Sequence, residues 1–85
     1  MSYIDTIKEY IVENFLYGDS GKLEEDTSFL ESGIIDSTGI LELISFIEEK
    51  YDISVGDDEL VPENLDSLIN VSKFIEKKLN NNKNW

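Results

Sequence analysis

The chain has 85 residues, 40% of them hydrophobic and 31% charged, enough for one small domain and too few for a second core. It contains no Cys, His or Arg, which excludes disulfides, thiolate metal sites, a histidine general base and a bidentate guanidinium clamp. Its net charge of −12 is concentrated between Glu24 and Asp66, where fourteen carboxylates face the single lysine Lys50 (net −13), while the flanks hold five carboxylates and six lysines (net +1).

The first apolar pattern places Ile4, Ile7, Ile11 and Phe15 at i, i+3, i+7 and i+11, with Val12 and Leu16 widening the stripe. It predicts a helix from Ser2 or Tyr3 to Leu16, started by a capping-box pair Ser2 and Asp5. Gly18 and Gly21, around Asp19 and Ser20, should end it. From Tyr17 to Asp36 no period is sustained, yet Phe29, Leu30, Ile34 and Ile35 are apolar. A connection of that kind reads as a long loop pinned across the helices, with one short turn near Ser28 to Glu31.

The second helix is predicted from Ser37 to Lys50, capped by Asp36 or Ser37. Its inward stripe is Ile40, Leu43, Ile44, Ile47 and Tyr51, with Leu41 and Phe46 off centre and Glu42, Glu48 and Glu49 toward solvent. Gly39, in the first turn, should cost about 1 kcal/mol relative to Ala. After Gly56 a short helical turn is expected around Asp57 to Leu60 or around Pro62 to Leu65, since Pro62 suits a first helical position. The last helix should begin near Ser67, capped by Asp66 or Ser67, and bury Leu68, Val71, Ile75 and Leu79 with Phe74 beside them. Lys73, Lys77 and Lys78 give its C-terminal turns the sign that the macrodipole favours.

No strand pattern or internal repeat competes. The fold class is all-α, a small four-helix bundle with three main helices, one short helix and a long first loop. The domain is expected over residues 1–80, with 81–85 a polar, flexible tail. The N-terminus lacks a basic and apolar leader, and no apolar run approaches the roughly 20 residues that span a bilayer, so a cytoplasmic location is expected.

Chemistry centres on Ser37, between a Gly-Ile-Ile-Asp lead-in and an acidic amphipathic helix. A nucleophilic serine needs a base to take its proton, and this sequence has no histidine. Ser37 therefore reads as a site modified by another enzyme, or more simply as a helix cap. The acidic middle of the chain repels nucleic acid and anionic lipid and steers basic protein surfaces toward it. Asp57-Asp58-Glu59 lacks the alternating ligand spacing of a calcium loop and reads as a helix start, so no metal site is assigned.

Asp36-Ser37 preceded by Gly33, with Phe29 upstream in DTSFLESG, is followed by Glu42-Leu43, Glu48-Glu49, Tyr51 and Ile53, then PENLDSL and Phe74-Ile75. This ordered set resembles the acyl carrier proteins and the related peptidyl carrier domains, as a free-standing unit, over nearly the whole chain. The resemblance implies that 4′-phosphopantetheine, taken from coenzyme A by a phosphopantetheinyl transferase, is joined to Ser37, flanked by Asp36 and Thr38. The arm's thiol would then carry acyl or aminoacyl groups as thioesters, so the chain is a carrier and not an enzyme. It also implies that Leu41, Glu42, Glu48 and Glu49 meet partner enzymes, including an acyl or aminoacyl adenylating ligase and downstream acyl-processing enzymes. Where a Leu most often follows the serine in housekeeping fatty-acid carriers, this chain has Thr38 and then Gly39. That departure points to a dedicated carrier in a specialised biosynthetic pathway, and the carrier is expected to be a monomer. The competing reading from another class is an unmodified acidic helical adaptor for a basic protein partner.

Overall fold

A computed structural model describes residues 2–18, 21 and 23–83, the last three of these as backbone. Helix α1 spans Tyr3–Phe15, α2 Phe29–Ser32, α3 Ser37–Tyr51, α4 Pro62–Leu65 and α5 Leu68–Lys83, with a 3-10 turn at Asp57–Glu59. Among the described residues there is no strand and no helix long and apolar enough to cross a membrane. The three long helices stand where periodicity puts them, and the two alternatives after Gly56 both form.

Helix α1 starts as expected, with the Asp5 amide donating to Ser2 Oγ at 3.2 Å. It closes at Leu16, after which Tyr17 (φ 52°) and Gly18 (φ 89°) turn left-handed. The Gly18 amide then donates to the Val12 carbonyl at 2.9 Å, one of the free carbonyls that a helix end leaves. Asp19 and Ser20 lie outside the described residues. Helix α5 is capped by Ser67, whose Oγ accepts from the Asn70 amide at 3.1 Å. Asp66, the other expected cap, faces the first loop instead. The α5 backbone continues through residues 81–83, where a tail was expected; residues 84 and 85, including Trp85, lie outside the described residues.

The core draws Ile7 and Ile11 from α1, Leu43 and Ile47 from α3, and Leu68, Val71 and Ile75 from α5, each fully buried. The first loop adds Phe29 and Ile35, at 0% and 1% exposure. Burying Phe29 alone contributes about 1.5–3 kcal/mol, enough to explain why an aperiodic segment is held against the helices. Backbone bonds complete the attachment: the Phe29 amide donates to the Asp66 carbonyl at 2.9 Å, and the Ile69 amide to the Glu25 carbonyl at 3.0 Å. The loop is thus zipped to the α4–α5 junction, and it delivers the chain to the start of α3.

Candidate functional site

Asp36 has extended backbone, and its Oδ1 accepts from the Gly39 amide at 2.7 Å. That settles the cap on Asp36 and makes Ser37 the first residue of α3. Ser37 and Thr38 are both exposed. Helix geometry gives the Ser37 and Thr38 amides no intrahelical acceptor. An exposed hydroxyl thus stands beside amide donors at the positive end of the helix dipole.

Two glycines bring the serine there for different reasons. Gly33 ends α2 at φ 77° with open space around it, so backbone conformation is what selects glycine. Gly39 is buried, and a Cβ there would stand 2.7 Å from Ile35 Cγ2 and 2.9 Å from Phe15 Cε1. Sequence reasoning treated Gly39 as a weakness in the first turn. The structure shows a close approach, in which the missing side chain lets the start of α3 settle onto Ile35 and Phe15.

Beside Ser37 opens an apolar cleft of about 220 Å³. Ile40, Leu41 and Ile44 of α3 line one side; Leu60, Val61, Pro62 and Leu65 line the other. Leu30 of α2 and Asp66 complete it. Periodicity could not reveal this cleft, because its second wall comes from Leu60 and Val61, which the 3-10 turn leads into, together with α4. Asp66 is the one carboxylate among the lining residues. Its Oδ2 accepts from the Ser28 hydroxyl and its Oδ1 from the Leu30 amide at 3.0 Å. Both oxygens are thereby engaged in holding the loop.

The other residues singled out by sequence divide. Leu41 is 57% exposed on the cleft rim, and Glu42 and Glu49 are exposed. Glu48 is half-buried, and its Oε2 accepts from the Val55 amide at 2.9 Å, so it ties α3 to the loop that follows. Phe46 stacks on Tyr10, ring centroids 4.0 Å apart and 15° from parallel. The Tyr10 hydroxyl donates to the Glu42 carbonyl at 3.4 Å, and burial, then the Glu42 charge, raise the Tyr10 pKa above the ordinary phenol value. Leu30, Leu60 and Asp66 at the cleft were not picked out; the sole sequence signal for the two leucines is an apolar residue outside any stripe.

No family model matches the chain. It is 36% identical over 76 residues to an acyl carrier protein of Sulfurovum sp. (strain NBC37-1), covering 89% of this chain and 97% of the relative. It is 33% identical over 76 residues to an acyl carrier protein of Wolinella succinogenes, covering 89% and 96%. The fold matches the solution structure of a holo acyl carrier protein from Nitrosomonas europaea with a TM-score of 0.76 and 24% identity, over 94% of this chain and 99% of that one. Shared length, shared helical order and identity spread over nearly the whole of both sequences place this chain in the acyl carrier protein family.

Proposed function

We propose that Ser37 is the attachment point for 4′-phosphopantetheine, and that the arm holds acyl or aminoacyl groups as thioesters for delivery to partner enzymes. The observation that carries this reading is the exposed serine at the first turn of α3, beside an apolar cleft and without a base of its own. In the loading step Ser37 Oγ attacks the phosphorus of coenzyme A that bears the pantetheine. The phosphoanhydride bond breaks, adenosine 3′,5′-bisphosphate leaves, and the serine proton passes to a base on the phosphopantetheinyl transferase. The product phosphodiester lies near the Ser37 and Thr38 amides, an interaction worth about 0.3–1 kcal/mol at an exposed helix start. Asp36 acts through its cap, fixing that start.

The chain itself is a non-catalytic, cytoplasmic, monomeric carrier domain over residues 1–80. Its partners are the transferase, an adenylating ligase and downstream acyl-processing enzymes, in a specialised biosynthetic pathway to which Thr38 and Gly39 point. Leu41, Glu42 and Glu49 form the approach surface on α3, with Glu48 at its edge. Exposed ion pairs contribute little each, so binding is fast, salt-sensitive and brief.

Intact mass spectrometry tests the reading. Incubated with coenzyme A, magnesium and a broad-specificity phosphopantetheinyl transferase, the protein gains one phosphopantetheinyl group, and Ser37→Ala gains none. A folded wild-type sample that gains no mass with several transferases overturns it and leaves the unmodified acidic adaptor.

A further inference from the structure

Asp66 is the residue at the cleft whose chemistry the attachment reading does not use. It follows α4, yet its contacts reach 36 to 38 positions back along the chain. Ser28 caps α2 by accepting the Glu31 amide at 3.1 Å, and the same hydroxyl donates to Asp66 Oδ2. The Leu30 amide donates to Asp66 Oδ1, and the Phe29 amide to the Asp66 carbonyl. One residue thereby receives three donors from consecutive residues at the start of a one-turn helix. A helix that short has no stability of its own, because nucleation is costly and no turn follows to repay it. Its orientation is set from outside.

What that orientation governs is Leu30. Phe29 points into the core, while Leu30 is 43% exposed and lines the cleft with Ser37. Leu41 (57%) and Leu60 (38%) stand on the same rim. Of the exposed large apolar side chains among the described residues, only Tyr17 lies elsewhere. Exposed carboxylates lie close to these leucines in sequence: Glu31 next to Leu30, Glu42 next to Leu41, and Asp57 and Asp58 three and two residues before Leu60. An apolar rim bordered by negative charge fits a protein surface that offers an apolar side chain among lysines and arginines.

We infer that Asp66 is a positioning residue for docking at Ser37: through Ser28 and the Leu30 amide it holds Leu30 on the rim that the modifying enzyme touches. The inference rests on the attachment reading above. Its test is a double-mutant cycle read as steady-state kinetics of phosphopantetheinyl transfer to the full chain. Leu30→Ala, on the surface, raises the KM for the carrier about five- to tenfold with kcat unchanged, the size of one lost apolar contact. Asp66→Ala raises KM by a comparable or smaller factor, and the double variant is no worse than Leu30→Ala alone. Asp66→Asn restores KM toward wild type, because an amide oxygen still accepts from Leu30 while its N–H can donate to Ser28 Oγ.

Additive effects of the two alanine changes, an unchanged KM in Leu30→Ala, or a lowered Tm without a KM change in Asp66→Ala each overturn the inference while leaving attachment at Ser37 intact. A wild-type chain that accepts no arm overturns the attachment reading, and this inference with it.

Discussion

The two ends of α3 solve opposite problems. At the C-terminal end three residues fasten the helix: Glu48 accepts the Val55 amide, Asp52 closes the helix in the left-handed region at φ 54°, and Tyr51 meets Tyr3 edge-on with centroids 5.3 Å apart. At the N-terminal end the helix is seated by small features, a cap from Asp36 and a missing side chain at Gly39, while Ser37, Thr38 and Leu41 stay open. Both ends belong to one continuous helix, and apart from the left-handed turn at Asp52 the difference is written in side chains. A helix can be anchored hard at one end while the other keeps its side chains open.

The sharpest way to break that contrast is to fill Gly39. In Gly39→Val the new carbons collide with Ile35 Cγ2, which belongs to a stiff β-branched side chain at 1% exposure, and with the Phe15 ring. Overpacking of this kind costs about 1–3 kcal/mol, and the start of α3 moves with it. Thermal unfolding should show a clear loss of Tm. Gly39→Ala tests the sign: helix propensity alone predicts a gain of about 1 kcal/mol, whereas the 2.7 Å approach predicts a net loss. A stabilised alanine variant would show that the N-terminal end is not close-packed.

Glu48 and its neighbours give the next effect in size. Glu48→Ala strips the acceptor from a part-buried amide, a loss of about 1–3 kcal/mol when the acceptor is charged. Glu42→Lys with Glu49→Lys removes exposed carboxylates that bond nothing by their side chains in the interactions above, so the unfolding free energy should stay within about 0.5 kcal/mol of wild type. The same pair should slow phosphopantetheinyl transfer at low salt. Equal stability loss in both variants, or equal transfer rates at low salt, would erase the division between an anchoring and an approach surface.

Much of this was legible before any coordinates. The stripes of α1, α3 and α5 are periodic, so the fold class and the core could be read from spacing. Ser37 stood out because its neighbours form an ordered set. What spacing could not show depends on pairs far apart in sequence: Gly39 against Phe15, Glu48 with Val55, Ser28 and Leu30 with Asp66. None of these leaves a local pattern. Asp66 is one of two helix-cap candidates by type and position, beside Ser67; Ser67 takes the cap, and Asp66 is drawn to donors that the first loop brings across the molecule. The cleft was hidden for the same reason, since two one-turn elements had to form together to make its far wall.

The smallest effect concerns how that far wall is held. Glu59 Oε1 accepts from the Gly56 amide at 2.9 Å, and both its oxygens receive Lys78 Nζ, at 3.0 and 3.3 Å, which binds the 3-10 turn to α5. The Gly56 amide first, and Lys78 second, lower the Glu59 pKa below the ordinary carboxylate value. A carboxylate with a folded pKa below its unfolded one adds stability above the unfolded value and loses it as pH falls through the folded value. The wild-type acid limb should therefore contain a small contribution from Glu59. Glu59→Gln, which keeps an oxygen for Gly56 but gives up the charge, should lower Tm slightly at neutral pH and converge with wild type in acid. Its partial exposure screens the pair, so the difference is small beside those at Gly39 and Glu48. A gap between the two proteins that is constant across the acid limb would mean that the wall is held by the Gly56 bond and packing, with the charge of Glu59 playing no part.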